Sequence, residues 1–290
     1  MKGRIIKGIG GFYYVHTDRG LYTCKAKGLF RLTGTKPLVG DLVDIDIIPG
    51  EEMTGNISKL HERTNELIRP NVANVDQALI IFALVDPVPN FVTLDKMILQ
   101  YMAQDIPVLI CFNKDDIADP ASATDAVSDY KGSGCRVFVT SAKTGEGIDE
   151  LKSALSGKTT TVAGPSGAGK SSIINRITGS GLQKTGEISE KLARGRHTTR
   201  HSEIIPIGVD SFIIDTPGFS SFDLFDIKAE DLSGYYEEFG VADACRFMPC
   251  SHTHEPGCGV KEAVQKRLIS SRRYDDYVYI YNELAGSRRY

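Results

Sequence analysis

Residues 164–171 read Gly164-Pro165-Ser166-Gly167-Ala168-Gly169-Lys170-Ser171, the spacing G-x-x-x-x-G-K-S. The chemistry this pattern serves is the holding of a polyphosphate. Glycines let the backbone wrap closely, so that its N–H groups face phosphate oxygens. Lys170 reaches the outer phosphates, Ser171 offers its hydroxyl to Mg²⁺, and Ser172 follows in the same turn. The strand-like run TTTVAG precedes the loop and the helical stretch SSIINRIT follows it. That strand–loop–helix context is what the motif requires, and the helix adds the positive end of its dipole.

Three further segments decide which nucleotide is held. Asn113-Lys114-Asp115-Asp116 closes the apolar run PVLICFN, and Ser141-Ala142-Lys143 closes RVFVT. A carboxylate at Asp116 can accept both the ring N–H and the exocyclic amine of guanine, a donor pair that adenine lacks. Asn113 can meet the other edge of the ring, and the stem of Lys114 can lie along the base. Asp215-Thr216-Pro217-Gly218 closes the run SFIID, which puts Asp215 where a metal-side carboxylate belongs, and Gly218 joins it among the expected GTP-binding residues. All four segments end expected strands, the place where open α/β sheets bind ligands. GTP-binding domains usually begin with the phosphate loop. Here the base-reading loops come first, so the domain is expected to be circularly permuted, which is tolerable because domain termini lie at the surface, often close together.

The elements that must position these loops fall into three regions. Residues 1–65 alternate polar and apolar positions between glycine turns, as in LVDIDIIPG, and predict a small antiparallel barrel, either OB-type or SH3-like. Residues 66–225 hold continuous apolar runs such as ALIIFAL, separated by helical stretches such as VTLDKMILQYMAQ. Buried parallel strands alternating with helices predict an α/β sheet. Residues 226–290 lose that texture and predict a mostly helical segment built around a cysteine/histidine cluster. The 290 residues suffice for two or three cores.

Composition excludes several classes. With 41% hydrophobic and 24% charged residues the chain reads as globular. No apolar run is long enough to span a membrane, and MKGRIIKGIGGF lacks the pattern of a signal peptide, so a cytoplasmic location is expected. The net charge of −3 argues against wholesale coating of nucleic acid. Residues 1–65 alone carry ten Lys/Arg against seven Asp/Glu, a mildly basic front end.

Cys245-x4-Cys250-x-His252-x5-Cys258 offers three thiolates and an imidazole, a set that suits one tetrahedral, structural Zn²⁺. His254 competes with His252 on spacing alone. Beyond the cluster, SSRRYDDYVYIYNELAGSRRY predicts a helix packed through its tyrosines, with RNA contact by its arginine pairs as the lesser alternative.

Between the phosphate loop and Asp215 lies TGEISEKLARGRHTTRH. Thr198 and Thr199 are both candidates for the switch threonine, and the expected Mg²⁺ set is Ser171, Thr199 and Asp215. Many GTPases place a glutamine after the Asp-x-x-Gly segment to orient water. Phe219 stands there instead, and an apolar ring cannot do so. His197 is the candidate to orient water; otherwise it joins Arg194, Arg196 and Arg200 in holding RNA phosphates.

The permuted order, RPNVANVDQ at 69–77, GPSGAGKSS, GRHTTRH, DTPGF and the downstream Cys/His cluster together resemble the RsgA (YjeQ/YloQ) family over essentially the whole chain. The resemblance implies an N-terminal OB domain, a central permuted GTPase domain and a C-terminal zinc domain. It implies a GTP hydrolase stimulated by the ribosome, acting late in assembly of the small ribosomal subunit and bound to its rRNA. It favours His252 as the fourth zinc ligand and His197 as the water-orienting group. A monomer cycling between GTP and GDP is expected. The alternative is a constitutive RNA-binding module with a structural nucleotide.

Overall fold

The structure is a computed structural model and describes residues 1–26, 36–68, 70–179, 203–215, 224 and 227–287. The chain sorts into two compact units. One comprises Met1–Gln77, Ser153–Val162 and Thr178–Phe219, the other Ala78–Lys152, Ala163–Ile177 and Ser220–Tyr290.

The first unit opens with strands β1 (Lys2–Ile9), β2 (Phe12–Thr17), β3 (Gly20–Ala26), β4 (Leu42–Ile47) and β5 (Thr54–Leu60). They close into a barrel in the order β1-β2-β3-β5-β4. Period-two alternation sends Ile5, Val15, Cys24, Val43, Ile45 and Ile57 inward, where all are buried. The barrel is not wholly antiparallel: β3 and β5 run parallel, from Thr23 opposite Thr54 to Ala26 opposite Ile57. Alternation reports which face is buried and is silent on strand direction, so the sequence could not show this. Five strands closed in this order make an OB-type barrel rather than an SH3-like one. The short strands β6 (Glu66–Leu67) and β7 (Val72–Ala73) pair beyond it.

Each unit holds three further strands that pair with one another. In the second unit β8 (Gln77–Ala83), β9 (Val108–Asn113) and β10 (Arg136–Val139) lie parallel in the order β10-β9-β8. In the first, β11 (Thr159–Ala163) pairs parallel with β13 (Ser211–Asp215), and β12 (Glu203–Gly208) pairs antiparallel with β13. The apolar runs thus become strands buried throughout, as in β8 and β9, and β11 is buried throughout despite its three threonines.

Six α-helices lie among the described residues. They are α1 (Phe91–Met102), α2 (Pro120–Asp129), α3 (Ile148–Leu155), α4 (Lys170–Thr178), α5 (Gly259–Gln265) and α6 (Ser271–Ser287). Asn90 caps α1 by accepting from the Thr93 N–H at 3.0 Å. In the second unit Leu99 of α1 joins Leu232, Tyr236, Phe239, Val260, Tyr277 and Ile280 in one apolar core. Beside it Arg273 of α6 is 3% exposed and pairs with Asp95 at 2.5 Å and Glu238 at 2.7 Å. The Tyr130 hydroxyl donates to the same Asp95 at 2.8 Å. A buried guanidinium is tolerable only when paired and hydrogen-bonded in this way. This corrects the alternative reading of Arg273 as an RNA contact, since it is buried; its neighbour Arg272 is partly exposed and pairs with Asp129 at 2.8 Å. The second pair, at 288–289, lies outside the described residues. Among the described residues no helix is long and apolar enough to cross a membrane.

Candidate functional site

The phosphate loop leaves β11 and enters α4 at Lys170, as its spacing predicts. Gly164 sits at φ +140°, and a Cβ there would lie 2.1 Å from the Ile81 carbonyl oxygen of β8. Only glycine permits that approach. Lys170 Nζ donates to the carbonyls of Gly164 and Pro165, each at 2.8 Å, so the cation is held over its own loop. Ser171 and Ser172 follow, exposed, in the first turn of α4.

Asn113 ends β9 with its side chain buried. Its Nδ2 donates to the Ala168 carbonyl at 3.0 Å, and its Oδ1 accepts from the Ala142 N–H at 3.0 Å. One amide therefore joins the strand end, the phosphate loop and the Ser141–Lys143 loop. The fit is close: a Cβ on Gly169 would lie 2.2 Å from Asn113 Nδ2. The sequence reading gave Asn113 to the base edge; the geometry adds this bridging role, which leaves one N–H of the amide for a ligand. Lys114, in the left-handed region at φ +69°, donates its amine to the Asp86 carbonyl.

Asp116 lies one short turn beyond. Its carboxylate accepts from the Ser141 hydroxyl at 2.7 Å and lies 3.5 Å from Lys143 Nζ. The Ser141 bond, followed by the nearby Lys143 charge, holds the carboxyl below the usual range against some desolvation. Asp116 is therefore an ionised acceptor at neutral pH. Asn113, Lys114, Asp115, Asp116, Ser141, Ala142, Lys143 and the loop 164–171 all lie in the second unit.

In the first unit, Asp215 stands opposite Val162 across the parallel pair β11 and β13. Asp215 thus occupies the C-terminal end of its strand, where the spacing put it. The side chain of Asp215, together with Gly218, Phe219, His197, Thr198 and Thr199, lies outside what the structure describes.

The Cys/His cluster closes as a separate site. The ligand atoms of Cys245, Cys250, His252 and Cys258 all lie within 4.8 Å of one another. Cys245 Sγ is 3.6 Å from His252 Nδ1 and 3.8 Å from Cys258 Sγ; His252 Nδ1 is 3.4 Å from Cys258 Sγ. Tetrahedral zinc bonds of ordinary length put ligands about 3.4–3.8 Å apart, which is the spacing among Cys245, His252 and Cys258, and Cys250 completes a donor set that suits a zinc ion. Of the two histidines left open by spacing, His252 joins the group and His254 is exposed.

Several residues that spacing did not single out build this site. Tyr274 and Tyr277 of α6 donate their hydroxyls to the carbonyls of His252 and Ser251, at 2.8 and 2.7 Å. Glu255 accepts from the Ser251 N–H at 2.8 Å and from its hydroxyl at 3.0 Å. The backbone bond leads the causes that draw the Glu255 carboxyl down to about 2. The tyrosines were legible only as helix packing, because a hydroxyl's target across 22 or 26 residues leaves no mark in spacing.

A family model described as RsgA GTPase matches residues 60–225, and one described as RsgA N-terminal domain matches residues 2–56. A protein of Agathobacter rectalis named small ribosomal subunit biogenesis GTPase RsgA is 52% identical, with 100% of both chains covered. One of the same name from Caldanaerobacter subterraneus is 44% identical over 100% of this chain and 98% of its own. Among solved structures, YjeQ from Thermotoga maritima superposes with a TM-score of 0.79 at 33% identity, covering 98% of each chain. YloQ, described as a circularly permuted GTPase, gives 0.78 at 33% identity over 100% of this chain and 96% of its own.

Proposed function

The chain belongs to the RsgA GTPase family, and from that premise we propose that it is a GTP hydrolase acting in biogenesis of the small ribosomal subunit. The observation that carries this reading is the Asn113 bridge, which brings the phosphate loop and both base-reading loops into one constellation.

The roles follow from the chemistry. Asp116 accepts the two guanine donors, with Ser141 and Lys143 keeping it charged and aimed. Asn113 and Ala142 face the other edge of the ring, Lys114 lies along the base, and Asp115 starts the turn that presents Asp116. The backbone of residues 164–169 wraps the phosphates, and Lys170 and Ser172 hold them from the helix end. Ser171, Asp215 and one of Thr198 and Thr199, with Thr199 preferred, would hold the Mg²⁺ that comes with GTP. That ion would supply charge neutralisation on the phosphate oxygens. Gly218 contacts the outermost phosphate, and His197 orients the attacking water.

Cys245, Cys250, His252 and Cys258 would hold one structural zinc. Four protein ligands leave no open position for a substrate, so its part is to stabilise a segment with a small core. The partners are GTP, GDP and the small subunit with its rRNA, met by a cytoplasmic monomer built as an OB domain (1–65), a permuted GTPase domain (66–225) and a zinc domain (226–290).

The test is GTP hydrolysis by the purified chain with and without small ribosomal subunits. Turnover that rises on adding subunits is the expected result. Turnover at the same rate with and without them would remove the ribosome from the reading, and no turnover in either case would remove the enzyme.

A further inference from the structure

The base-reading loop is gripped by a residue from the phosphate-binding helix that belongs to none of the GTPase motifs. Arg176 lies on α4, six residues beyond Lys170. Its Nη2 donates to the Lys143 carbonyl at 3.1 Å. Its guanidinium also lies flat against Gly145: a Cβ built there would stand 3.0 Å from Nη2 and 3.4 Å from both Cζ and Nε. Gly145 holds φ +96°, so the bare backbone is what admits the guanidinium.

The segment Arg176 touches is a tight turn. The Gly145 N–H donates to the Ser141 carbonyl at 2.8 Å, and the Ser141 N–H donates to the Glu146 carbonyl at 3.0 Å. The Thr144 N–H donates to the Ser141 hydroxyl at 3.1 Å. That hydroxyl in turn holds Asp116, and the Ala142 N–H holds Asn113. The Ser141–Lys143 loop is thus anchored to the base side through Asn113 and Asp116, and to the phosphate side through Arg176.

We infer that Arg176 is a positioning residue for guanine nucleotide binding: a strap that fixes the base-reading loop at its distance from the phosphate-binding helix and so slows nucleotide release. It acts through the Lys143 carbonyl and Gly145. Loosening the strap lets the 141–145 turn lift from the base while Lys170 and the loop backbone keep their grip on the phosphates. The inference rests on the proposed assignment of the Ser141–Lys143 loop to the base.

Two probes separate the ends of the site. Fluorescent mant-GDP engages base and phosphates; inorganic tripolyphosphate engages the phosphate loop alone. In Arg176→Ala, mant-GDP dissociation should quicken by about two- to ten-fold, the range for loss of one such hydrogen bond. Tripolyphosphate competition should stay as in the wild type. Arg176→Lys, which keeps a donor, should restore part of the slow release. Unchanged mant-GDP release overturns the strap. Equal weakening of mant-GDP and tripolyphosphate also overturns it, since that reports damage to α4 itself. Asp116→Asn, measured alongside, tests the underlying assignment: it should move preference from guanine toward xanthine nucleotides. A wild-type guanine preference in that variant overturns the base-site reading and the strap with it; a shifted preference with unchanged release in Arg176→Ala removes the strap alone.

Discussion

Tyr274 donates its hydroxyl to the backbone carbonyl of His252 at 2.8 Å, so the last helix holds the metal-site loop by the residue that supplies its imidazole. His252 sits at φ +58°, a conformation that a non-glycine residue adopts only when its surroundings determine it. Tyr277 and Glu255 fix the neighbouring Ser251 in the same way.

The metal ligands can be told apart by substitution. Cys258→Ser and His252→Ala should each release bound zinc, measured by elemental analysis of the purified protein, and lower the melting temperature. His254→Ala should keep one zinc per chain. Zinc lost from His254→Ala and retained in His252→Ala would reverse the assignment.

The Asn113 bridge predicts a change in stability as well as in binding. Asn113→Ala leaves the buried Ala168 carbonyl and the half-buried Ala142 N–H without their bonds. A loss of about 1–3 kcal/mol is expected from unpaired buried groups, read from urea unfolding without nucleotide. GTP affinity should fall in the same variant. Wild-type stability would mean that water replaces the amide and the bridge is incidental.

Lys170→Ala removes the cation held over the phosphate loop, and Ser171→Ala removes the hydroxyl offered to Mg²⁺. Each should abolish GTP turnover while the circular dichroism spectrum and melting temperature stay close to wild type. His197→Ala should lower subunit-stimulated turnover with little change in GTP affinity. Should His197→Ala instead weaken subunit binding, with turnover per complex unchanged, the histidine holds RNA rather than water.

What was legible in the sequence follows from how local each constraint is. Gly164 and Gly169 announce the phosphate loop because a Cβ at either position would run into Ile81 or Asn113. Buried strands such as Val108–Asn113 announce themselves by apolar runs such as VLICF. The parallel pairing of β3 with β5 left no such trace. Strand β12 was equally hidden, as an antiparallel strand with Pro206 inside it, a residue that argues against a strand reading. Arg273 looked like a surface cation in SSRRYDD; its partners, Asp95 and Glu238, come from distant segments, and only the fold brings them together. Arg176 passed unnoticed inside SSIINRIT for the same reason.

The Arg273 cluster leads to a pH dependence that can be measured. Asp276, one turn along α6 from Arg273, is 8% exposed, and its Oδ2 has no hydrogen-bond partner. Burial, reinforced by the Asp95 carboxylate and opposed by Arg273 and Arg272, pushes its carboxyl up to about 7. An unfolded aspartate titrates near 3.9. Between those values the folded chain holds a proton that the unfolded chain has released, so stability falls as pH rises through this window. Asp276→Asn keeps the shape and removes the titration. Melting temperatures of the two proteins should lie close near pH 4.5, and the variant should gain on the wild type as pH rises toward 8. A difference that stays constant from pH 5 to pH 8 would show that Asp276 is charged throughout and that Arg273 or Arg272 neutralises it in the folded protein.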